Sequence, residues 1–210
     1  MSAAGFLLVL EGGEGVGKST LAAGVAGWAR SRGRAVTVTR EPGGTPLGER
    51  IRGLVLDRAA SPSPRAEALL YAADRAEHVA AVVRPALAAG HLVVCDRFSD
   101  SSVAYQGAGR TLDAAEVAGL SRWATGGLVP DLTVLLDLEP AVGLARAGRR
   151  GPADRLESES LAFHRRVRAG FLALAAAEPG RYLVLDAGAP ADHVLGAVTD
   201  RLLAPAQERR

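Results

Sequence analysis

The sequence predicts a doubly wound α/β domain on a mostly parallel sheet. Three observations carry that expectation. Short, unbroken apolar runs recur along the chain, amphipathic stretches separate them, and a glycine-rich turn follows the first run directly. Unbroken runs are what strands buried on both faces require, and strand–helix alternation implies right-handed crossovers that pack helices against both faces.

The elements follow in order. Phe6–Leu10, Ala35–Thr39, Leu92–Cys95, Leu132–Asp137 and Tyr182–Leu185 read as five parallel strands. Ala60–Pro64 is a Ser/Pro loop that starts a long helix from Arg65 to Ala89, on which Leu69, Ala73, Ala76, Val79, Val83 and Leu87 recur at three- and four-residue steps. Gly148–Ala153 is a cationic interruption between two later helices, expected to act as a small mobile lid over about residues 146–156. Gln207–Arg210 is expected to fray. With 210 residues and no low-complexity linker, the chain is expected to form a single domain over residues 1–210.

Composition narrows the class. Apolar residues make up 48% and charged residues 23%, an ordinary globular balance. The longest apolar runs fall far short of the roughly 20 residues that cross a bilayer. The N-terminus enters the first strand with no basic stretch or cleavage signal, so a cytoplasmic protein without a membrane partner is expected. The single cysteine, Cys95, ends an apolar run and reads as a small buried hydrophobe. A net charge of +2 gives no continuous cationic face of the kind a nucleic-acid binder needs. Lys18 is the only lysine among 25 basic residues, which marks a place where a compact ammonium is wanted rather than a planar fork.

Lys18 falls within Gly12-Gly13-Glu14-Gly15-Val16-Gly17-Lys18-Ser19-Thr20, which fits Gly-x-x-x-x-Gly-Lys-Ser between a strand and a helix. Glycines free the backbone so that successive N–H groups cradle phosphates, and the following helix points its positive dipole end at the same anions. Lys18 reaches the β- and γ-phosphates of a nucleoside triphosphate, and the Ser19 hydroxyl can bind magnesium. A P-loop NTPase fold follows. Guanine-specific switch proteins read their base with Asn-Lys-x-Asp, and this chain has no asparagine. A small-molecule kinase remains.

Further motifs stand in order along the chain: Arg40-Glu41-Pro42-Gly43-Gly44-Thr45, Tyr71-Ala-Ala-Asp74-Arg75, Asp96-Arg97-Phe98, Ser101-Ser102-Val-Ala-Tyr105-Gln106-Gly107 and Pro130-Asp131-Leu. With them the sequence resembles the bacterial thymidylate kinase family, a nucleoside monophosphate kinase family, over nearly its whole length. The resemblance implies transfer of the ATP γ-phosphoryl group to dTMP, with Mg2+, in a homodimer. It implies that Asp96 holds water on the magnesium ion and that Arg97, with Arg52, grips the acceptor phosphate, although Arg50 and Arg58 stand close to Arg52. Tyr71, where the family usually has phenylalanine, would stack on thymine while Arg75 donates to its carbonyl; an aromatic at helical spacing is otherwise more often core. Ser102 would hydrogen-bond the pyrimidine ring, with Gln106 nearby in the dTMP site. Tyr105 would crowd the sugar 2′ position, or simply pack its own loop. Glu14 would lie near the sugar 3′-hydroxyl. Some family members follow that acidic residue with an arginine that assists transfer; here Gly15 stands instead, so Arg146, Arg149, Arg150 and Arg155 of the lid are the candidates. Arg150 best matches the transfer arginine and Arg146 one that lies against adenine. Another nucleotide or deoxynucleoside kinase, or a P-loop switch that binds without transferring, would share the first half of these features.

Overall fold

The computed structural model describes residues 4–149 and 151–204. The chain runs β1 (Phe6–Gly12), α1 (Lys18–Ser31), β2 (Val36–Arg40), α2 (Pro46–Leu56), α3 (Pro64–His78), α4 (Arg84–Ala88), β3 (Leu92–Asp96), α5 (Ser99–Ser102), α6 (Ala114–Thr125), β4 (Leu132–Asp137), α7 (Pro140–Gly148), α8 (Leu161–Ala177), β5 (Tyr182–Asp186) and α9 (Ala191–Leu203). All strand pairs are parallel in the order β2-β3-β1-β4-β5. The expected strands therefore all form. Several run one or two residues further, because ladder bonds continue past the apolar run.

Helices cover both faces. On one, α1 and α9 pack over Leu8, Leu10, Val94 and Val134; on the other, α8 and α3 bury Tyr71, Tyr105, Leu135, Phe163 and Phe171. Not every strand is buried on both faces. In the outer strands β2 and β5, Val38 and Val184 are exposed, because an edge strand has neighbouring elements on fewer sides.

The expected helix from Arg65 to Ala89 is continuous but not uniform. Ser63 caps α3, accepting from the Ala66 amide, with Pro64 in the first turn. A π-helical turn at Val79–Val83 then joins α3 to α4. Pro85 explains it: proline has no N–H and clashes with the carbonyl one turn back, and a widened turn absorbs both effects.

The buried face of α3 also differs from the apolar stripe. Leu69 and Ala73 are exposed, whereas Glu67, Asp74, Arg75 and His78 are buried. The helix turns its charged side inward because those charges have partners at the carboxyl edge of the sheet.

Parallel strands end together. From β1 the chain passes to the outer β2, returns to β3, then crosses β1 to reach β4. The carboxyl ends of β1 and β3 thus flank the point where the winding reverses, the usual location of a ligand crevice in such sheets.

Candidate active site

The turn after β1 forms the expected cradle. Gly17 has φ 94° and Gly15 φ 65°, left-handed values that side chains rarely adopt, and α1 starts at Lys18. A Cβ on Gly15 would lie 2.0 Å from the Gly143 carbonyl oxygen of α7. An arginine could not stand at this position without displacing that helix, so any arginine assisting transfer must come from elsewhere. Lys18 is buried and folds over the loop, its Nζ donating to the carbonyls of Gly12 (3.1 Å) and Gly13 (2.7 Å). Burial, reinforced by the Arg97 charge, pulls its pKa down to about 8. Ser19 Oγ donates to Asp96 Oδ2 across 3.1 Å, bringing together the oxygen donors expected at a magnesium site.

A cavity of about 440 Å³ opens from this loop across the carboxyl ends of β1 and β3. Glu14 to Thr20, Arg52, Tyr71, Arg75, Asp96, Arg97, Ser102, Tyr105 and Gln106 all line it. Gly12 and Gly13 lie on the far side of the loop, against a small hollow beside β4, α7 and α8. Arg50 and Arg58 are exposed and line no part of the cavity, which leaves Arg52 as the arginine of α2 at the site. Arg52 Nη1 donates to the Pro42 carbonyl at 3.0 Å.

Arg97 lines the cavity opposite Lys18. Its backbone has φ 71°, unusual for any residue but glycine. Nη1 donates to the Gly12 carbonyl (3.0 Å) and Ser101 Oγ (3.2 Å); Nη2 donates to Glu14 Oε1 (2.7 Å) and Tyr105 Oη (3.0 Å). The four terminal N–H groups are thus engaged. An anion would be gripped by exchange with one of these partners or through Nε. Burial raises the Glu14 pKa, but the Arg97 and Lys18 charges and the Tyr105 hydrogen bond outweigh it and hold the carboxyl at about 2. Tyr105 donates to the same Glu14 oxygen at 2.7 Å, while its ring packs edge-on against Phe163 and Phe171. It belongs to the core and lines the cavity at once. The segment Val103–Gly109 is a π-helical continuation of α5 rather than a loop.

On α3, Tyr71 and Arg75 share the face that meets the cavity. Tyr71 also belongs to the core cluster with Ile51 and Val55, so it is part of the core while lining the cavity. Arg75 is held on every side: Nε donates to Glu41 Oε2 (2.8 Å), Nη1 to Ser102 Oγ (3.1 Å) and Ser121 Oγ (3.3 Å), and Nη2 to the Phe98 carbonyl (3.0 Å). Gln106 is buried, with Nε2 donating to Glu67 Oε1 at 2.8 Å.

Sequence reasoning missed the carboxylates behind these residues. Glu41 bridges Arg75 and His78 Nδ1, and His78 Nε2 lies 2.6 Å from Thr39 Oγ1. Glu41, His78 and Cys95 approach one another closely enough for a metal ion, yet Glu41 and both His78 nitrogens are spent on this relay beside a guanidinium. The set reads as a polar relay, not a metal centre. Burial pushes the Cys95 thiol pKa up, so it is the inert small hydrophobe expected. Glu67 faces inward from the first turn of α3, where a first-turn acid ordinarily faces water, so nothing in its spacing marked it. Glu41 was in view inside the Arg40–Thr45 motif without a role.

The last turn of α7 and the segment after it, where a lid is expected, wall the cavity with Ala147, Gly151, Pro152, Asp154 and Leu156. Arg146 Nη1 donates to the Ala187 carbonyl after β5 at 2.9 Å, and Arg149 is exposed. Arg155 pairs with Glu67 at 2.6 Å and donates from Nε to the Val55 carbonyl at 2.8 Å. These two contacts hold Arg155 against α2 and α3. Arg150, the expected transfer arginine, lies outside the described residues.

A P-loop at the head of a parallel sheet, facing a cavity lined by Arg52, Arg75 and Arg97, defines a P-loop phosphotransferase. Comparison with known proteins agrees with that class and narrows it. The chain belongs to the thymidylate kinase family, whose sequence model matches residues 10–198. It is 59% identical over 199 residues to the thymidylate kinase of Leifsonia xyli subsp. xyli, covering 94% of each chain. It is 56% identical over 201 residues to that of Deinococcus radiodurans, covering 94% of this chain and 98% of the other. It is 53% identical over 197 residues to that of Gloeobacter violaceus, covering 91% and 93%.

Proposed function

We propose that the protein transfers the γ-phosphoryl group of ATP to dTMP, giving dTDP and ADP. One observation carries this reading: Lys18 on the phosphate loop and Arg97 across the cavity both donate to the Gly12 carbonyl, so two anion sites meet end to end. In-line transfer requires that alignment and little covalent chemistry from protein, because the acceptor oxygen is already anionic.

Amides of Gly12 to Thr20 hold the ATP phosphates, and Lys18 binds at the β- and γ-phosphates. Ser19 and Asp96 would hold Mg2+, which supplies charge neutralisation between the phosphates. Arg97 and Arg52 grip the dTMP phosphate. Tyr71 stacks on the base, while Arg75, Ser102 and Gln106 read its edge. Tyr105 excludes a 2′-hydroxyl, and Glu14 holds the acceptor sugar and Arg97. Arg146 lies on the adenine side, and Arg150 supplies charge in transfer while the lid excludes water. The setting is cytoplasmic, as a homodimer with no nucleic-acid partner. Support for the dimer comes from Leu54 on α2 and Leu69 on α3, exposed at 57% each on helices that pack side by side.

A panel of dTMP, dUMP, dCMP, dGMP and thymidine, each with ATP, tests the assignment through ADP release. dTMP is expected to lead it. A preference for thymidine would remove Arg97 and Arg52 from an acceptor phosphate, and ATP binding without acceptor-dependent ADP release would make the chain a switch.

A further inference from the structure

We propose that Glu11 is a positioning residue, acting through Ser101 to hold Arg97 in the left-handed turn that aims its guanidinium at the phosphate loop. The inference rests on the reading of Arg97 as the grip on the acceptor phosphate.

Glu11 stands near the end of β1, at the centre of the sheet, and is wholly buried. A carboxylate in such a place needs a full set of donors. Oε1 accepts from the Phe98 amide (2.9 Å) and the Ser101 amide (3.1 Å), and Oε2 accepts from Ser101 Oγ (2.6 Å). None of these donors is a cation, and each follows Arg97 within four residues. The Arg97 amide itself donates to the Leu10 carbonyl at 2.9 Å. The turn carrying the φ 71° backbone is thereby pinned to β1 on both sides of Arg97. Surroundings that over-determine the backbone are what let a side-chain-bearing residue persist there.

The last link is the Ser101 hydroxyl. It donates its one hydrogen to Glu11 Oε2, which leaves its lone pairs directed at Arg97 Nη1, 3.2 Å away. Glu11 thus sets which way the hydroxyl faces, and the hydroxyl sets one edge of the guanidinium. A simpler role, capping the short helix after Phe98, needs only the two amide bonds to Oε1. Glutamine would retain those two bonds. It would lose the bond from Ser101 Oγ to Oε2, because an amide nitrogen cannot accept the serine proton and would donate to the oxygen that Arg97 uses. Substitution therefore separates the two roles.

The test uses the full-length chain with steady-state kinetics for both nucleotides and a thermal midpoint. Glu11→Gln and Ser101→Ala are each expected to raise the KM for dTMP about tenfold, the scale of one hydrogen bond to a charged group. The KM for ATP should stay within about twofold of wild type. The double variant should be no worse than the worse single, since both break one chain of contacts. Ser101→Thr, which keeps the hydroxyl, should restore the KM for dTMP. An unchanged KM for dTMP in both singles overturns the proposal. So does a parallel rise in both KM values with a fallen midpoint, or effects that multiply in the double. If Glu11→Gln does not fold, Ser101→Ala against Ser101→Thr decides alone. A wild-type chain inactive on dTMP sinks the proposed function instead; an active wild type with unshifted variants sinks only this inference.

Discussion

Lys18, Glu14 and Arg97 occupy a few ångströms of space and set one another's charge. Both donations from the Lys18 ammonium go to carbonyls of its own loop, and Glu14 keeps Arg97 as its counter-ion when Lys18 is removed. Lys18→Ala is expected to cut kcat by at least about a thousandfold, the scale of losing a principal electrostatic contact. Its unfolding midpoint should stay within about 3 °C of wild type. Rapid-quench turnover and differential scanning calorimetry on the same preparation check both halves. The motif spacing announced Lys18, but not that Arg97 already spends its terminal N–H groups on Glu14, Tyr105, Ser101 and Gly12. Those partners lie up to 85 residues away.

Single contacts become a device at the scale of elements. Glu67 accepts from Gln106 and Arg110 and pairs with Arg155, tying α3, the π-helical stretch after α5 and the segment between α7 and α8 together. Arg155→Ala removes one cation from a buried carboxylate that keeps its other partners. A loss of about 1–3 kcal/mol is expected, since the remaining donors limit the cost of an exposed deficit. That corresponds to roughly 3–9 °C in the midpoint for a chain of this size. Arg149→Ala, at an exposed neighbouring position, should leave the midpoint unchanged; equal losses in the two variants would deny Arg155 its anchoring role. The helical period placed α3 correctly yet put Leu69 on the inner face, because apolar spacing cannot register charges that find partners only in the folded sheet.

Across the whole molecule, buried carboxylates pull stability in opposite directions with pH. Glu14 is held at about 2 in the folded chain, below its ordinary 4.5, so its contribution is present above pH 4.5 and lost as pH falls towards 2. Glu11 is the reverse: burial, with the neighbouring Asp100 charge, pushes it up to about 7. Its contribution is full below 4.5 and disappears as pH rises through 7. Asp74, raised by burial to about 6, follows the same sign. Glu11→Gln should therefore gain midpoint relative to wild type as pH goes from 5 to 8, whereas Glu14→Gln should narrow the acid-side loss between pH 4.5 and 2. Thermal scans across that range decide both, and a constant offset for Glu11→Gln would contradict the first.

The paired exposure of Leu54 and Leu69 belongs to the same scale. Leu69→Arg is expected to convert a dimer to a monomer by light scattering, and a wild-type monomer would refute the assembly.

The sequence by itself determined the five strands, their parallel winding and the phosphate loop, because each rests on local periodicity or on a turn whose glycines act within a few residues. It also marked Arg52, Arg75, Arg97 and Tyr105, through motifs whose order matches the family. Only the tertiary structure decided what those residues lean on. Glu11, Glu41, Glu67 and His78 carry charge or polarity that sequence assigns to solvent, and they become interior only when strands from distant parts of the chain end side by side. A buried carboxylate is stable there solely because its donors arrive from other elements. That complementarity exists between positions far apart in the chain and in no single stretch of it.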